Sequence, residues 1–506
     1  MPALSDLSAS PTPVRVALWE AIALSALLAV CLALRTANLG ALPIFFDEAG
    51  HMRSAQIVGT LPRPDLWLIS LNYGAPPLFS WLAAPFTRLI PDPLLATRLA
   101  SAAVGTLGLL IIWAAGRALW GSMPALLAAV LYALCPFVLF YNRIALLDGL
   151  VATCGAGALF FALELSRHAR TRDALALALC LAAGMLTKIF AVSMLLLPVL
   201  AVAAAWPAQR RTVRRKAVLA ALLGLLPLVA LLLTPQGGGL LSATHAHAHA
   251  GEQPLAAIVH QLATWAGALW LYLTPPILAL AVLGLWTMRH DRAARLLGPW
   301  ALLGGLPPAL VPGAFLAPRY FLYIAVPILL LSARGLLAVA AGLSARLHHV
   351  PLWLLVLCGA ALTATPAAAA DRAIIISPSR TPLIAFDRWQ YVTGWPSGYA
   401  LTHVVAYLHR QEAHGPITVI SSIYNPPGDA LIVLLGHERN ITLTNVDFST
   451  LRRHPLRVVP GHHAFLIACR PYGQRLRVDP HVLHLLLTVP NADGAGGVDV
   501  YEVIAP

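Results

Sequence analysis

Long apolar runs, broken by short charged or Pro/Gly-rich segments, fill the first 364 residues. Eleven approach spanning length: 16–34, 99–118, 123–140, 149–165, 174–186, 190–206, 217–233, 265–288, 296–311, 320–342 and 352–364. A helix of ~20 apolar residues crosses a bilayer, so the pattern predicts a polytopic α-helical membrane protein with about eleven transmembrane helices. The fifth and ninth runs are short. The first follows Arg15, an outline shared with cleaved signal peptides, but the many later runs favour an uncleaved span. A long loop, 35–98, separates the first two runs. It holds two amphipathic helical stretches, 48–58 and 78–89, with Trp67, Tyr73 and Trp81 around them. Aromatics of this kind suit the headgroup level, which predicts two helices resting on the membrane surface.

From residue 371 the periodicity shortens. Helical spacing covers 397–412, and 428–435 reads as a short helix. Strand patterns cover 416–421, 440–446, 465–469, 485–489 and 498–503, the last two joined by an Asn/Asp/Gly-rich turn. The expected organisation is a transmembrane module, 1–370, followed by a small α/β domain, 371–506. The pattern contains no internal repeat, phosphate-binding glycine loop or nucleophile elbow.

Composition supports this reading. Of 506 residues, 59% are hydrophobic and 11% charged, with mean hydropathy +0.75; soluble proteins carry about 25% charged residues. The net charge of +13 is nearly all arginine, with Lys188 and Lys216 the only lysines. A basic protein invites a nucleic-acid reading, but these arginines sit in short loops between apolar runs. Arg117, Arg167/Arg170/Arg172, Arg210–Lys216, Arg289/Arg292/Arg295 and Arg346 all fall on one side of an eleven-span chain. The positive-inside rule makes that side cytoplasmic. The N-terminus is then inside, the C-terminal domain outside, and the location the cytoplasmic membrane. Five of six cysteines lie in apolar runs and the sixth is Cys469; none has ligand or disulfide spacing.

The outer side gathers few polar residues: Asp47, Glu48, His51 and Arg53 after span one, Asn142, Arg143 and Asp148 between spans three and four, Lys188, and Arg319 with Tyr320. Two carboxylates and several cations around one cleft suit chemistry at a phosphorylated lipid, the cations holding phosphate and a carboxylate handling a proton. Each has a plainer reading. Asp47 caps a helix; Arg143 and Asp148 form an i,i+5 pair; Lys188 snorkels to the surface; Arg319 is an interfacial anchor. The alternating His245, His247 and His249 have only Glu252 nearby, and read better as a low-complexity loop than as a metal site.

The order and sidedness of several short motifs resemble the GT-C superfamily of glycosyltransferases. These are Asp47-Glu48, Ala75-Pro76-Pro77-Leu78 with Trp81, Asn142-Arg143 through Asp148, Leu186-Thr187-Lys188, and Pro318-Arg319-Tyr320. The likeness covers roughly the first two-thirds of the chain. It is strongest to the branch of protein O-mannosyltransferases and lipid A aminoarabinose transferases. The resemblance implies Asp47 as catalytic base, Asp148 and Glu48 as supporting carboxylates, and Lys188, Arg319, Arg143, Tyr320 and His51 as substrate or phosphate contacts. It implies transfer of a sugar from a polyprenyl-phosphate donor to an acceptor outside the cytoplasmic membrane. Some relatives need a divalent cation such as Mg or Mn; Asp47 and Asp148 are the carboxylates that would meet one. The chain departs from its relatives at Gly50-His51, where Arg or Tyr is common, and at Ala75, where Lys is common. The competing reading is a polytopic transporter or lipid-linked-sugar flippase. Its marks, midplane charges and internal repeats, are missing from the pattern.

Overall fold

The computed structural model describes residues 16–61, 63–238, 254–306, 317–422, 426–448, 456, 458–470 and 479–504. The histidine run of 244–249 lies outside them.

Helices α1 (Leu18–Thr36), α2 (Phe46–Thr60), α3 (Leu78–Leu89), α4 (Pro93–Trp120), α5 (Ser122–Ala133), α6 (Pro136–Tyr141), α7 (Leu147–His168), α8 (Thr171–Met185), α9 (Leu196–Ala204) and α10 (Arg210–Leu232) come first. Then follow α11 (Pro254–Leu273), α12 (Pro275–Thr287), α13 (Ala294–Leu303), α14 (Ala325–Arg346) and α15 (Leu352–Ile376). Every predicted span meets a helix, but the count of eleven simplifies what the chain does. Among the described residues six helices are long and apolar enough to cross a membrane, or seven if a bent pair is one span. The bent pair lies within the expected run 265–288: the chain turns by 100° at Thr274, whose φ is +66°. Two prolines follow it, and proline has no N–H with which to continue a helical ladder. The run 123–140 likewise divides at Pro136, which opens α6.

The arginine-bearing loops meet at one end of the bundle. Arg117 pairs with buried Glu20 of α1 at 2.7 Å. Arg167 donates to the Ala118 carbonyl, Lys216 to that of Ala169, and Arg292 to that of Ala205. The polar turns that carry Asp47, Asp148, Lys188 and Arg319 come together away from that end.

The C-terminal region adds α16 (Tyr399–Glu412), β1 (Ile417–Ser421), α17 (Gly428–Leu435), β2 (Ile441–Asn445), β3 (His463–Arg470), β4 (Leu483–Pro490) and β5 (Gly497–Val503). Each element matches an expected one. The strands form a mixed sheet ordered β2-β1-β3-β5-β4, parallel across β2-β1-β3 and antiparallel across β3-β5-β4. All five residues of β1 are buried, which explains its unalternating apolar sequence.

The expectation of two helices resting on the membrane describes α2 poorly. Phe46, Ala49, Met52 and Ala55 share one apolar core with Phe79 and Ala83 of α3 and with Leu401, Ile417, Ala430 and Phe465 of the C-terminal region. Helix α2 is therefore covered by protein on more than one side.

Candidate functional site

Helix α2 begins where two anchors fix it. The Phe46 N–H donates to the Pro396 carbonyl at 3.1 Å, and the Glu48 carboxylate reaches back to the Phe45 N–H at 3.3 Å. Phe45 is the N-cap position, so Asp47 is not the cap. It stands in the first turn, where the unpaired N–H groups favour an anion, with 56% of its side chain exposed.

Adjacent Glu48 points the other way and is fully buried. Arg98 donates to it from Nε and Nη2 at 2.7 Å each, and the Ala145 N–H donates at 2.7 Å. Arg98 also donates to the Leu39 and Leu42 carbonyls. Glu48 therefore ties the first loop to α4 and to the turn before α7. It is not among the residues that border the cleft, so any support it lends the site acts through Arg98 and the Ala145 turn.

Arg319 occupies the 3₁₀ turn Pro318–Ile324 that leads into α14, and is 6% exposed. It is no interfacial anchor. Its Nη2 donates to Asp47 at 3.0 Å and its Nε lies 3.6 Å from the Asp148 carboxylate. Nη1 donates to the Tyr391 hydroxyl at 2.7 Å and to Gln390 Oε1 at 3.2 Å. Asp148, in the first turn of α7, accepts from Lys188 Nζ at 2.6 Å. Lys188 lies 3.8 Å from the centroid of the Tyr320 ring, which stacks on Phe190. It is held inward and does not snorkel; burial pushes its ammonium down to about 8, with Asp148 opposing the fall. Two of the recognised motifs touch directly, the Leu78 N–H donating to the Leu186 carbonyl.

Asp47, Arg319, Asp148 and Lys188 thus form one line of alternating charge. They border a cleft of about 350 Å³, together with His51, Tyr73, Pro76, Tyr320 and Asp429. Burial pushes the His51 imidazole down to about 4, so it is neutral at pH 7; its ring meets the Phe79 edge. Arg143 does not join them. It donates to the Leu34 and Asn38 carbonyls, and its expected pair with Asp148 is replaced by Lys188 and Arg319.

Behind the cleft lies a layer the sequence did not disclose. Tyr391 meets Phe45 and Phe140 edge to face. Asp387, fully buried, accepts from the Tyr141 and Tyr272 hydroxyls at 2.5 and 2.6 Å. This stretch fixes Arg319 from the side away from Asp47. No local pattern marks Gln390 or Tyr391, which reach Arg319 across about 70 residues of sequence.

The carboxylates were also candidate ligands for a divalent cation. Both are engaged by guanidinium or ammonium groups, and no group of three His, Cys, Asp or Glu with metal-site geometry occurs among the described residues.

The fold is similar to that of solved membrane proteins. The chain superposes on ArnT from Cupriavidus metallidurans bound to undecaprenyl phosphate with a TM-score of 0.59 at 16% identity, over 95% of this chain and 98% of that one. It is also similar to the archaeal oligosaccharyltransferase AglB from Archaeoglobus fulgidus, in complex with an inhibitory peptide and a dolichol-phosphate. There the TM-score is 0.50 at 13% identity, over 84% of this chain and 64% of that one. Residues 74–233 match the family described as dolichyl-phosphate-mannose-protein mannosyltransferase. None of the curated proteins matches the chain by sequence. The fold is thus shared with ArnT over nearly the whole chain, and about a third of the sequence matches a mannosyltransferase family.

Proposed function

We propose that the protein transfers a sugar from a polyprenyl-phosphate donor to an acceptor on the outer side of the cytoplasmic membrane, with Asp47 as base. The observation that carries this reading is the charge line Asp47–Arg319–Asp148–Lys188 along one cleft. The donor phosphate sits between Lys188 and Arg319, which neutralise it as a leaving group. Asp148 holds both cations in place before the donor arrives. Asp47, exposed to the cleft mouth, receives the proton of the acceptor hydroxyl as its oxygen attacks the anomeric carbon and the bond to phosphate breaks. The products are glycosylated acceptor and polyprenyl phosphate. Tyr320 shields Lys188, and the aromatic layer around Tyr391 fixes the guanidinium so that little reorganisation accompanies charge development. A resident metal has no role in this scheme, so chelation by EDTA leaves turnover within about twofold.

The positive-inside distribution of arginines supports a cytoplasmic N-terminus. Mannose is the first donor sugar to test, because the matched family uses dolichyl-phosphate-mannose. The experiment is transfer of radiolabelled sugar from undecaprenyl-phosphate-linked donors by the purified protein in proteoliposomes, with membrane extract as acceptor. Label on an acceptor is the expected result. Movement of label across the bilayer without transfer would instead support the transporter reading.

A further inference from the structure

The cleft has a second carboxylate wall that belongs to the C-terminal region. Asp429 stands in the first turn of α17 and borders the same cleft as Asp47 and Lys188. Its Oδ1 accepts from the Tyr73 hydroxyl at 3.2 Å. The Tyr73 ring packs close against Gly50: a Cβ there would come within 3.1 Å of Tyr73 Cδ1, so a larger residue would push the ring outward by a few tenths of an ångström. Gly50 follows Asp47 by three residues, which puts the two on one face of α2, about 4.5 Å apart along the axis. Gly50 thus leaves room for Tyr73, and through it Asp429 is oriented.

Building on the transferase reading above, we infer that Asp429, oriented by Tyr73, hydrogen-bonds the hydroxyls of the transferred sugar and sets which sugar is accepted. The cations that suit phosphate lie at Lys188 and Arg319, and the base lies at Asp47. A sugar attached to that phosphate shares the cleft with Asp47, and Asp429 borders the same cleft beside Tyr73. A carboxylate with one oxygen fixed by tyrosine leaves its second oxygen for a sugar hydroxyl, a charge-assisted bond with strong directional demand. Discrimination then follows from hydroxyl position, because a missing partner leaves a half-buried carboxylate unpaired. Burial holds the Asp429 carboxyl above its usual range, with the Tyr73 hydrogen bond and then Arg53 opposing the rise.

The test measures binding of undecaprenyl phosphate, bare and bearing mannose, glucose, galactose, N-acetylglucosamine or arabinose, to the full-length protein in nanodiscs. Asp429→Asn keeps an oxygen for the Tyr73 hydroxyl but removes the charge. The expected result is unchanged affinity for the bare lipid phosphate and a fall of roughly 10- to 100-fold for the best glycosylated lipid. Tyr73→Phe keeps the ring on Gly50 and frees the carboxylate, so its loss is smaller but equally confined to sugar-bearing lipids. If wild type prefers a sugar-bearing lipid and Asp429→Asn keeps that preference intact, the inference fails while the transferase reading stands. Equal losses for bare and glycosylated lipid also overturn it, since Asp429 would then act on the phosphate site or the fold. If wild type binds no lipid phosphate, bare or glycosylated, the transferase reading itself fails.

Discussion

The two ends of the helical bundle carry the same residue types and use them differently. At the arginine-loop end, Arg167, Lys216 and Arg292 each donate to a backbone carbonyl at or just beyond a helix terminus. They satisfy carbonyls that have no partner within their own helix. At the cleft end, Arg319 and Lys188 face carboxylates across a cavity, with their other sides fixed by aromatic rings. A cation on a carbonyl ends a helix; a cation shared among carboxylates around a space has a position that a substrate anion can take over. Counting charges does not separate these cases, and neither does partner type alone, since Arg117 pairs with buried Glu20 at the arginine-loop end; the open cleft beside the pair does.

The sharpest way to test the contrast is within the cleft end itself. Asp47→Asn is expected to lower sugar transfer by about 100- to 10,000-fold, with an unchanged thermal melting profile; normal turnover would remove Asp47 as base. Its neighbour should behave oppositely. Glu48→Gln removes the charge that balances buried Arg98, at a cost of about 3–5 kcal/mol. Yield and melting temperature in detergent should fall, and the surviving folded fraction should keep its kcat. A drop in kcat without a stability loss would return Glu48 to the chemistry. A third effect is pH-dependent. Lys188 is held near 8, so it is charged below that pH and loses its proton above it. The quotient kcat/KM should therefore fall as pH rises past 8, approaching tenfold per unit. Lys188→Arg should move that fall to higher pH, since arginine stays protonated; an unmoved profile would assign the titration elsewhere. Smallest is the change at the opposite end. Arg292→Ala gives up a carbonyl bond and a stack on Trp206, for a loss of about 1 kcal/mol with turnover unaltered.

Much of this was legible in the sequence, for identifiable reasons. The strands and helices of the C-terminal region announced themselves through turn residues and period, and helix 428–435 falls where expected. Sidedness brought Asp47, Asp148, Lys188 and Arg319 together because spanning segments alternate direction and leave few places for a polar turn. What stayed hidden depends on pairing across long separations. Glu48 and Arg98 are 50 residues apart, and the arginine sits at the edge of an apolar run, where it reads as a loop residue. Arg143 carries a motif of the resemblance, yet its side chain spends its hydrogen bonds on the end of α1. The break at Thr274 had a visible cause in Pro275-Pro276, but hydropathy averages over it. Asp429 had no signal of its own, because its cleft is closed by an element about 380 residues further along the chain than Asp47.

The shared core of α2 and the C-terminal region also sets an order in time. Phe46 is anchored by Pro396 and packs with residues as late as Val500. During synthesis the first loop must therefore wait, its apolar face uncovered, until the chain has been made as far as β5 and the C-terminal region has reached the same side of the membrane. The bundle can be inserted span by span, but the cleft is completed last. A chain interrupted after α15 should insert normally and yet be cleared by proteases at its first loop, which pulse-chase labelling would reveal.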